Sequence, residues 1–435
     1  MKNFQLILLV IFGAAVLVAV LIFSGAIKTK DRNSETMGAT GKVVMWGTVP
    51  AKSITGLLAE YNQEKETYQV TYVEKSASTF DSELTEALAS GKGPDLFLLP
   101  DDLLWKYRNR INLYPYESYP ERSFKDNFVN GSDVFLSTSG IMALPFTVDP
   151  IVMYYNRDMF ENAFIATPPT IWDDVYNVSR TLTKKDENSL ITESGMAFGT
   201  WDNIKNSKDI LSMLLLQGGT SITEKQDSIL ESTLLDPLPG TKTIPAQSVV
   251  AYYTEFANPV SEFYSWNRAR PNSFDAFIAG DLAIYFGFAS ELPNIRVKNP
   301  NLDFDVALVP QIKNSTTKAT SANFNVIALS KFSTNPTTAY VVATQLTGKD
   351  FLSSFNEANT NYPPVRKDLL SVKPTDPYQA VFFNSALISK TWLDPNPASS
   401  DGILRGMIEN YTSGSMDIYA SIENASDLLS VLGEK

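Results

Sequence analysis

No cysteine and no histidine occur anywhere in the 435 residues. Without cysteine there are no disulfides, no thiolate metal sites, no thiol nucleophile, and no lipid-bearing cysteine behind an apolar leader. Without histidine the commonest general base and metal ligand near neutral pH is missing, which excludes Ser-His-Asp hydrolases and His-ligated zinc enzymes. Carboxylate-only chemistry and oxygen-ligated calcium stay open. Positive charge is also scarce: 36 Lys plus Arg stand against 48 Asp plus Glu, a formal charge of −12. No basic run tracks a phosphate backbone, so nucleic acid is not an expected partner. Nothing in the composition calls for a cofactor.

What is present begins with an uncharged apolar run from Phe4 to Phe23. It is long enough to cross a hydrocarbon core of roughly 30 Å as one helix. Lys2 precedes it, and Ser24-Gly25-Ala26 supplies small residues at cleavage-like positions. The run exceeds the usual signal-peptide core of roughly 7–15 residues, which favours an uncleaved anchor over a signal peptide. Residues 1–26 are therefore read as anchor or signal peptide and 27–40 as a polar tether. The expectation is a single-pass protein of the cell membrane with its body outside the cytoplasm, or a secreted one if the segment is cleaved. Lys2 set against Lys28, Lys30 and Arg32 does not decide orientation by charge alone. The remaining roughly 395 residues suit two lobes better than one core.

Strand and helix patterns alternate beyond the tether. Lys42 to Trp46 is a short apolar strand ended by Gly47, followed by a helix over Ser53 to Lys65 with Ile54, Leu57, Leu58 and Tyr61 at helical spacing. Tyr68 to Val73 alternates as a strand, Thr79 to Ser90 is a helix stopped by Gly91, and Leu96 to Leu99 is a strand ended by Pro100-Asp101-Asp102. Leu103 to Asn109 turns helical again. Further strands are expected at Ile151–Tyr155, Asp281–Phe286 and Phe304–Leu308, and helices at Thr170–Leu182, Ser207–Gln217 and Thr337–Thr347. Residues 217–246 and 312–323 read as loops. The alternation predicts an α/β fold with a parallel sheet, whose ligand crevices lie beyond the carboxyl ends of the strands.

The order of several segments resembles family 1 of the extracellular solute-binding proteins of ABC importers, the maltose-binding-protein-like group. The matching pieces are Val43 to Gly47, Leu84 to Gly91 with Gly93-Pro94-Asp95, Ala143-Leu-Pro145, Tyr154 to Phe160, and Pro168 to Asp174. Leu216 to Gly219, Phe274 to Ile284, Val306 to Pro310 and Tyr362 to Arg366 continue the series. Each is weak alone; their shared order over roughly 41–432 carries the resemblance. Several also have a local reading, with Gly91 ending a helix and Thr170 N-capping one.

The resemblance implies a two-lobed periplasmic-binding-protein-like fold with a hinge and an inter-lobe ligand cleft. Lobe 1 is expected from 41–145 plus 303–348 and lobe 2 from 146–302 plus 349–435. It implies a non-enzymatic monomer that binds a small polar ligand, a mono- or oligosaccharide, and presents it to ABC permease subunits. Two other functions stay open: a secreted carbohydrate hydrolase using two carboxylates, and a receptor of the same fold that signals to a sensor. The missing lipid-accepting cysteine departs from many Gram-positive members and leaves the apolar helix as the tether.

Sugar recognition needs planar aromatics to stack on C–H faces and fixed polar groups for hydroxyls. Trp46 and the pair Asp101 and Asp102 stand at carboxyl ends of expected strands, with core capping and helix capping as the plainer alternatives. Trp201 and Asp202 place an aromatic beside a carboxylate in a small, apolar stretch. The resemblance adds Trp266 and Trp392 on second-lobe loops, and Phe288, Asn323 and Arg366 at positions where family members meet ligand. Arg366 could equally pin its loop to a carboxylate. Trp105 and Trp172 read as packing. Asp149 could line the cleft or cap a turn. Asp186 to Ser189 hints at a calcium loop, but the glycine and terminal glutamate are misplaced.

Overall fold

The computed structural model describes residues 38–315 and 317–434. The expected membrane span Phe4–Phe23 and residues 27–37 of the expected tether lie outside them. Among the described residues no helix is long and apolar enough to cross a membrane. The last expected tether residues are docked: Ala39 is buried, and the Thr40 N–H donates to Thr338 Oγ1 at 3.0 Å.

The first part of the chain follows the expected alternation. Strands β1 (Gly41–Gly47), β2 (Tyr68–Glu74) and β3 (Leu96–Pro100) pair in parallel, with α1 (Thr55–Gln63) and α2 (Phe80–Ala89) as the crossovers. Leu96 to Leu99 have no exposed surface, as a strand covered on both faces requires. The expected helix over Leu103–Asn109 is absent. Short 3₁₀ turns at Asp101–Leu103 and Arg108–Arg110 stand there instead.

Strand β4 (Leu144–Asn156) runs for 13 residues, so the strand expected at Ile151–Tyr155 is only its second half. Then follow α3 (Trp172–Leu182), β5 (Ile191–Met196), α4 (Ser207–Gly218), α5 (Pro245–Glu255), α6 (Ser273–Ala279), β6 (Leu282–Phe288) and β7 (Phe304–Ala307). Strand β8 (Thr320–Ser330) precedes α7 (Pro336–Leu346), α8 (Lys349–Ala358) and α9 (Pro377–Leu387), and α10 (Pro397–Thr412) and α11 (Ile418–Gly433) end the described chain. Thr170 does not cap α3. The Gln311 N–H donates to Thr170 O and the Trp172 N–H to Gln311 O, so the lead-in is pinned to another segment. The expected loop at 217–246 contains a hairpin, Thr223–Gln226 with Ile229–Ser232, and the one at 312–323 contains the start of β8.

One sheet runs through the molecule in the order β2-β1-β3-β8-β4-β6-β5. It is mixed rather than parallel, because β8 is antiparallel to both β3 and β4, and β6 is antiparallel to β4. The first half of β4 pairs with β8, from Leu144 opposite Ile327 to Pro150 opposite Ala322. Its second half pairs with β6 and β7. Two hydrophobic cores result, one holding Val43, Phe97, Val148 and Phe324, the other Ile151, Tyr154, Phe198 and Tyr285. The fold is thus two-lobed, and β4 passes from the first core into the second between Val148 and Ile151.

Two segments pack opposite to expectation. Antiparallel pairing with β4 holds Phe304 and Val306 in the second core, together with Val309, whereas Leu352, Phe355, Val365 and Leu370 pack in the first. Residues 303–309 therefore side with lobe 2 and 349–370 with lobe 1.

Candidate inter-lobe binding site

The carboxyl end of β3 delivers Asp101 and Asp102 to the boundary between the lobes. Asp101 is only 4% exposed. Its Oδ1 accepts from the Phe324 N–H on β8 at 2.9 Å, and its Oδ2 accepts from Thr391 Oγ1 at 2.5 Å. It ties a strand end to the crossing strand and to the segment before α10. Asp102, beside it, keeps solvent access and faces the start of α4 in the other lobe, where it feels the charge of Lys208.

Helix α4 begins after Asn206, whose φ of 62° turns the chain sharply into Ser207. That turn aims the polar first residues of α4 at the boundary and leaves Leu211 to Leu216 in the second core. Lys208 Nζ donates to Asp394 Oδ2 at 2.5 Å and lies 5.5 Å from the Trp392 ring centre. Lys205 Nζ donates to Glu291 Oε2 at 2.8 Å, and Glu291 also accepts from Asn206 Nδ2 at 2.9 Å and the Tyr285 hydroxyl at 2.6 Å. Asp149, on β4 opposite Asn323, accepts from the Ser290 N–H at 3.0 Å. The Tyr362 hydroxyl, pushed up to about 12 by burial, also feels the Asp149 charge.

Carboxyl groups crowd this boundary. Burial, with Asp102 adding repulsion, pushes Asp101 up to about 7. Burial pushes Asp149 up to about 7 against the two lowering hydrogen bonds of Ser290, with Glu291 and Asp209 adding to the rise. Asp102 and Asp209 are each raised to about 6 by burial; Lys208 opposes the rise in both, and Asp394 adds to it. Lys208 itself is held up by Asp394 although burial pulls it down. The group joins both lobes through charge: Asp102 from the first, Lys208 and Asp209 from the second, Asp149 from the crossing strand.

At the other end of α4, Leu216 lines a pocket of about 330 Å³ that also takes walls from both lobes, including Asn130, Thr223, Lys225, Lys390 and Trp392. Lys225 Nζ reaches across from the 223–232 hairpin to the carbonyl oxygens of Val134 and Leu136. Trp392, 7% exposed, stands between this pocket and Lys208.

The sequence candidates divide accordingly. Asp101, Asp102 and Trp392 come together at the boundary, and Asn323 is exposed on the crossing strand. Trp46 is half-buried at the end of β1, with Lys75 Nζ 3.9 Å above its ring centre. Trp201 and Trp266 belong to the second core, at 4% and 0% exposure, so neither offers a free ring face. Phe288 packs in the same core, and Asp202 is an exposed partner of Arg405 at 2.7 Å. Arg366 takes its plainer role. It clamps Asp368 with Nε at 3.0 Å and Nη2 at 2.9 Å, and donates to Thr347 O and Asn127 Oδ1. Trp105 and Trp172 are buried, as expected of packing residues.

Lys205, Lys208, Asp209, Glu291, Tyr362 and Asp394 were not among the candidates. Lys208 and Asp209 sit in the first turn of a helix that was expected, and polar residues at that end of an apolar helix were the available signal. The Asp186 carboxylate is used by its own turn, accepting from Asn188 and Leu190 N–H groups. Among the described residues no cluster of three or more His, Cys, Asp or Glu is arranged to hold a metal ion.

The profile of the bacterial extracellular solute-binding proteins matches residues 56–381. A binding protein of Brucella abortus (strain 2308) is 24% identical over 291 residues, 66% of this chain and 66% of that protein. The match thus spans just under two thirds of that relative. The cyclic alpha-maltosyl-1,6-maltose binding protein from Arthrobacter globiformis has a similar fold, with a TM-score of 0.72 at 15% identity, over 90% of this chain and 98% of that one. A cyclo/maltodextrin-binding protein complexed with maltotetraose gives 0.70 at 17% identity, over 89% and 96%.

Proposed function

We propose, since the chain belongs to the bacterial extracellular solute-binding proteins, that it captures a mono- or oligosaccharide between its lobes and hands it to the permease subunits of an ABC importer. No bond is made or broken in this role. The supporting observation is the boundary itself: β4 and β8 cross between two separate cores, and polar groups from both lobes converge beside that crossing. Rotation near Asp149 and Asn323 would open and close this boundary, and closing would take a ligand out of water against groups of both lobes. Fold relatives named for maltodextrin-type ligands support the saccharide class. The body works outside the cytoplasm as a monomer, tethered through Phe4–Phe23.

Titration calorimetry of the purified protein with maltotriose, mannobiose and cyclic maltodextrins, followed by chromatography of the sugar, tests this. Saturable binding with the sugar recovered intact is expected. Hydrolysis of the sugar, or no binding by any saccharide, removes the proposal. Membrane fractionation tests the tether separately: recovery of the full-length chain in the soluble fraction would rule it out.

A further inference from the structure

We propose that the cavity at the C-terminal end of α4 is a second binding site, and that it takes a phosphate group, free or carried on a small molecule. The cavity measures about 330 Å³ and has walls from both lobes, at the small end of the roughly 300–1,000 Å³ of small-molecule sites. Its Leu216 lies just over two turns of α4, about 12 Å, from Lys208. It is therefore separate from the carboxylate-rich boundary assigned to the sugar.

Unsatisfied donors point to an occupant. Trp392 and Leu393 line the cavity and are 7% and 4% exposed, and their backbone N–H groups reach no acceptor among the described residues. Buried backbone N–H groups are paired in folded proteins, so these two call for an acceptor from the cavity side. Another wall is held under strain. Ile222, fully buried, has φ 70°, a left-handed conformation that a β-branched side chain resists. Two bonds keep it there: the Thr233 N–H donates to Ile222 O at 2.9 Å, and the adjacent Thr223 Oγ1 donates to Leu393 O at 2.6 Å. Strained backbone collects at ligand sites, and this strain sets Ser221 and Thr223 into the cavity wall.

The chemical class follows from charge. Lys225 and Lys390 line the same cavity, neither forms an ion pair with a described residue, and burial lowers both, Lys225 to about 8. The carbonyl oxygens of Val134 and Leu136 accept from Lys225 Nζ, which fixes its position and leaves its charge uncancelled. Glu224 borders the cavity from an exposed position and pairs with neither lysine. Two cations beside free N–H donors match a group with nearly two negative charges and three acceptor oxygens, which a phosphate has and a carboxylate lacks. Leu216 and Trp392 add apolar surface for a small organic carrier.

Calorimetry of the full chain at pH 7 tests this with glycerol 3-phosphate, inorganic phosphate and lactate. At least one phosphate probe should bind saturably and at least tenfold more tightly than lactate, and Lys390→Gln should weaken it at least tenfold. The tighter of the two phosphate probes identifies the source, an ester or the free ion. In the unaltered protein the bound probe should also slow acetylation of Lys390 by acetic anhydride while exposed Lys52 reacts as before. Any one of four results overturns the proposal: no binding of either phosphate, lactate binding as tightly, unchanged affinity in Lys390→Gln, or Lys390 left unprotected.

Discussion

Asp149 and Asn323 stand opposite each other in the β4–β8 ladder, at the point where β4 leaves the first core for the second. On one side Val148 and Phe324 are fixed in the first core; on the other Ile151 enters the second, and Thr320 Oγ1 donates to its carbonyl oxygen at 2.8 Å. The pair sits in a stretch held by backbone pairing, with Asn323 exposed. The carboxylates beside it dominate its electrostatics.

Stability should depend on pH with an unusual sign. Asp101, Asp102, Asp149 and Asp209 have folded values raised above those of the unfolded chain, so the folded state holds more protons than the unfolded one between about pH 4 and 7. Their contribution is most favourable below that window and is lost as pH rises through 6 to 7. Scanning calorimetry should give a higher Tm at pH 5.5 than at pH 7.5; a Tm that rises between those values would contradict the assignment.

Asp209→Asn should stabilise the free protein at pH 7.5 by about 1–2 kcal/mol, since it removes one of the mutually repelling charges. Urea denaturation would read the gain as a higher midpoint with an unchanged slope. The gain should shrink at pH 5.

Lys208→Met acts in the opposite direction. It leaves Asp394, 1% exposed, without its cation and removes the charge that opposes the rise in Asp102 and Asp209. A loss of about 3–5 kcal/mol at neutral pH is expected by denaturant melts, and a smaller one at pH 5. A loss independent of pH would point to packing against Trp392 as the larger part.

Arg366 and Asp202 provide a contrast between two ion pairs. Arg366→Ala removes a buried guanidinium that holds Asp368, Thr347 O and Asn127 together, and should cost about 2–4 kcal/mol. Asp202→Ala breaks an exposed pair with Arg405 and should change stability by about 0.5 kcal/mol or less. Comparable losses from the two would place Arg366 at the surface, against its observed burial.

Much of this architecture was legible in the residues. Helical spacing in α1 and α2 and the continuous apolar run of β3 announced themselves, because each is specified by its own local pattern. β8 was hidden: its first residues, Thr320 to Asn323, look like loop, and only pairing with Ser389–Lys390 and with β4 makes them strand. At the lobe boundary, the position of Asp101 and Asp102 was readable because they end a recognisable strand. Lys208, Asp209 and Asp394 were not, since what unites them is contact between segments nearly 200 positions apart, as in the Lys208–Asp394 pair. Burial could not be read in the same way: a tryptophan beside polar residues looks like a binding aromatic, whereas the Trp201 and Trp266 rings pack in the second core.

The position of β8 also sets the timetable on which this chain acquires its shape. A nascent chain delivers residues in numerical order, so β1, β2 and β3 emerge long before β8, which supplies the missing neighbour of β3. Most strands of the second lobe, β4 to β7, are all out by residue 307 and can pair among themselves first. The lobe that begins earliest in the gene is therefore completed late, and until residue 330 arrives β3 presents an open, wholly apolar edge. Interrupted synthesis anywhere between 100 and 320 would leave that edge uncovered, so truncated products of this gene should be prone to aggregate.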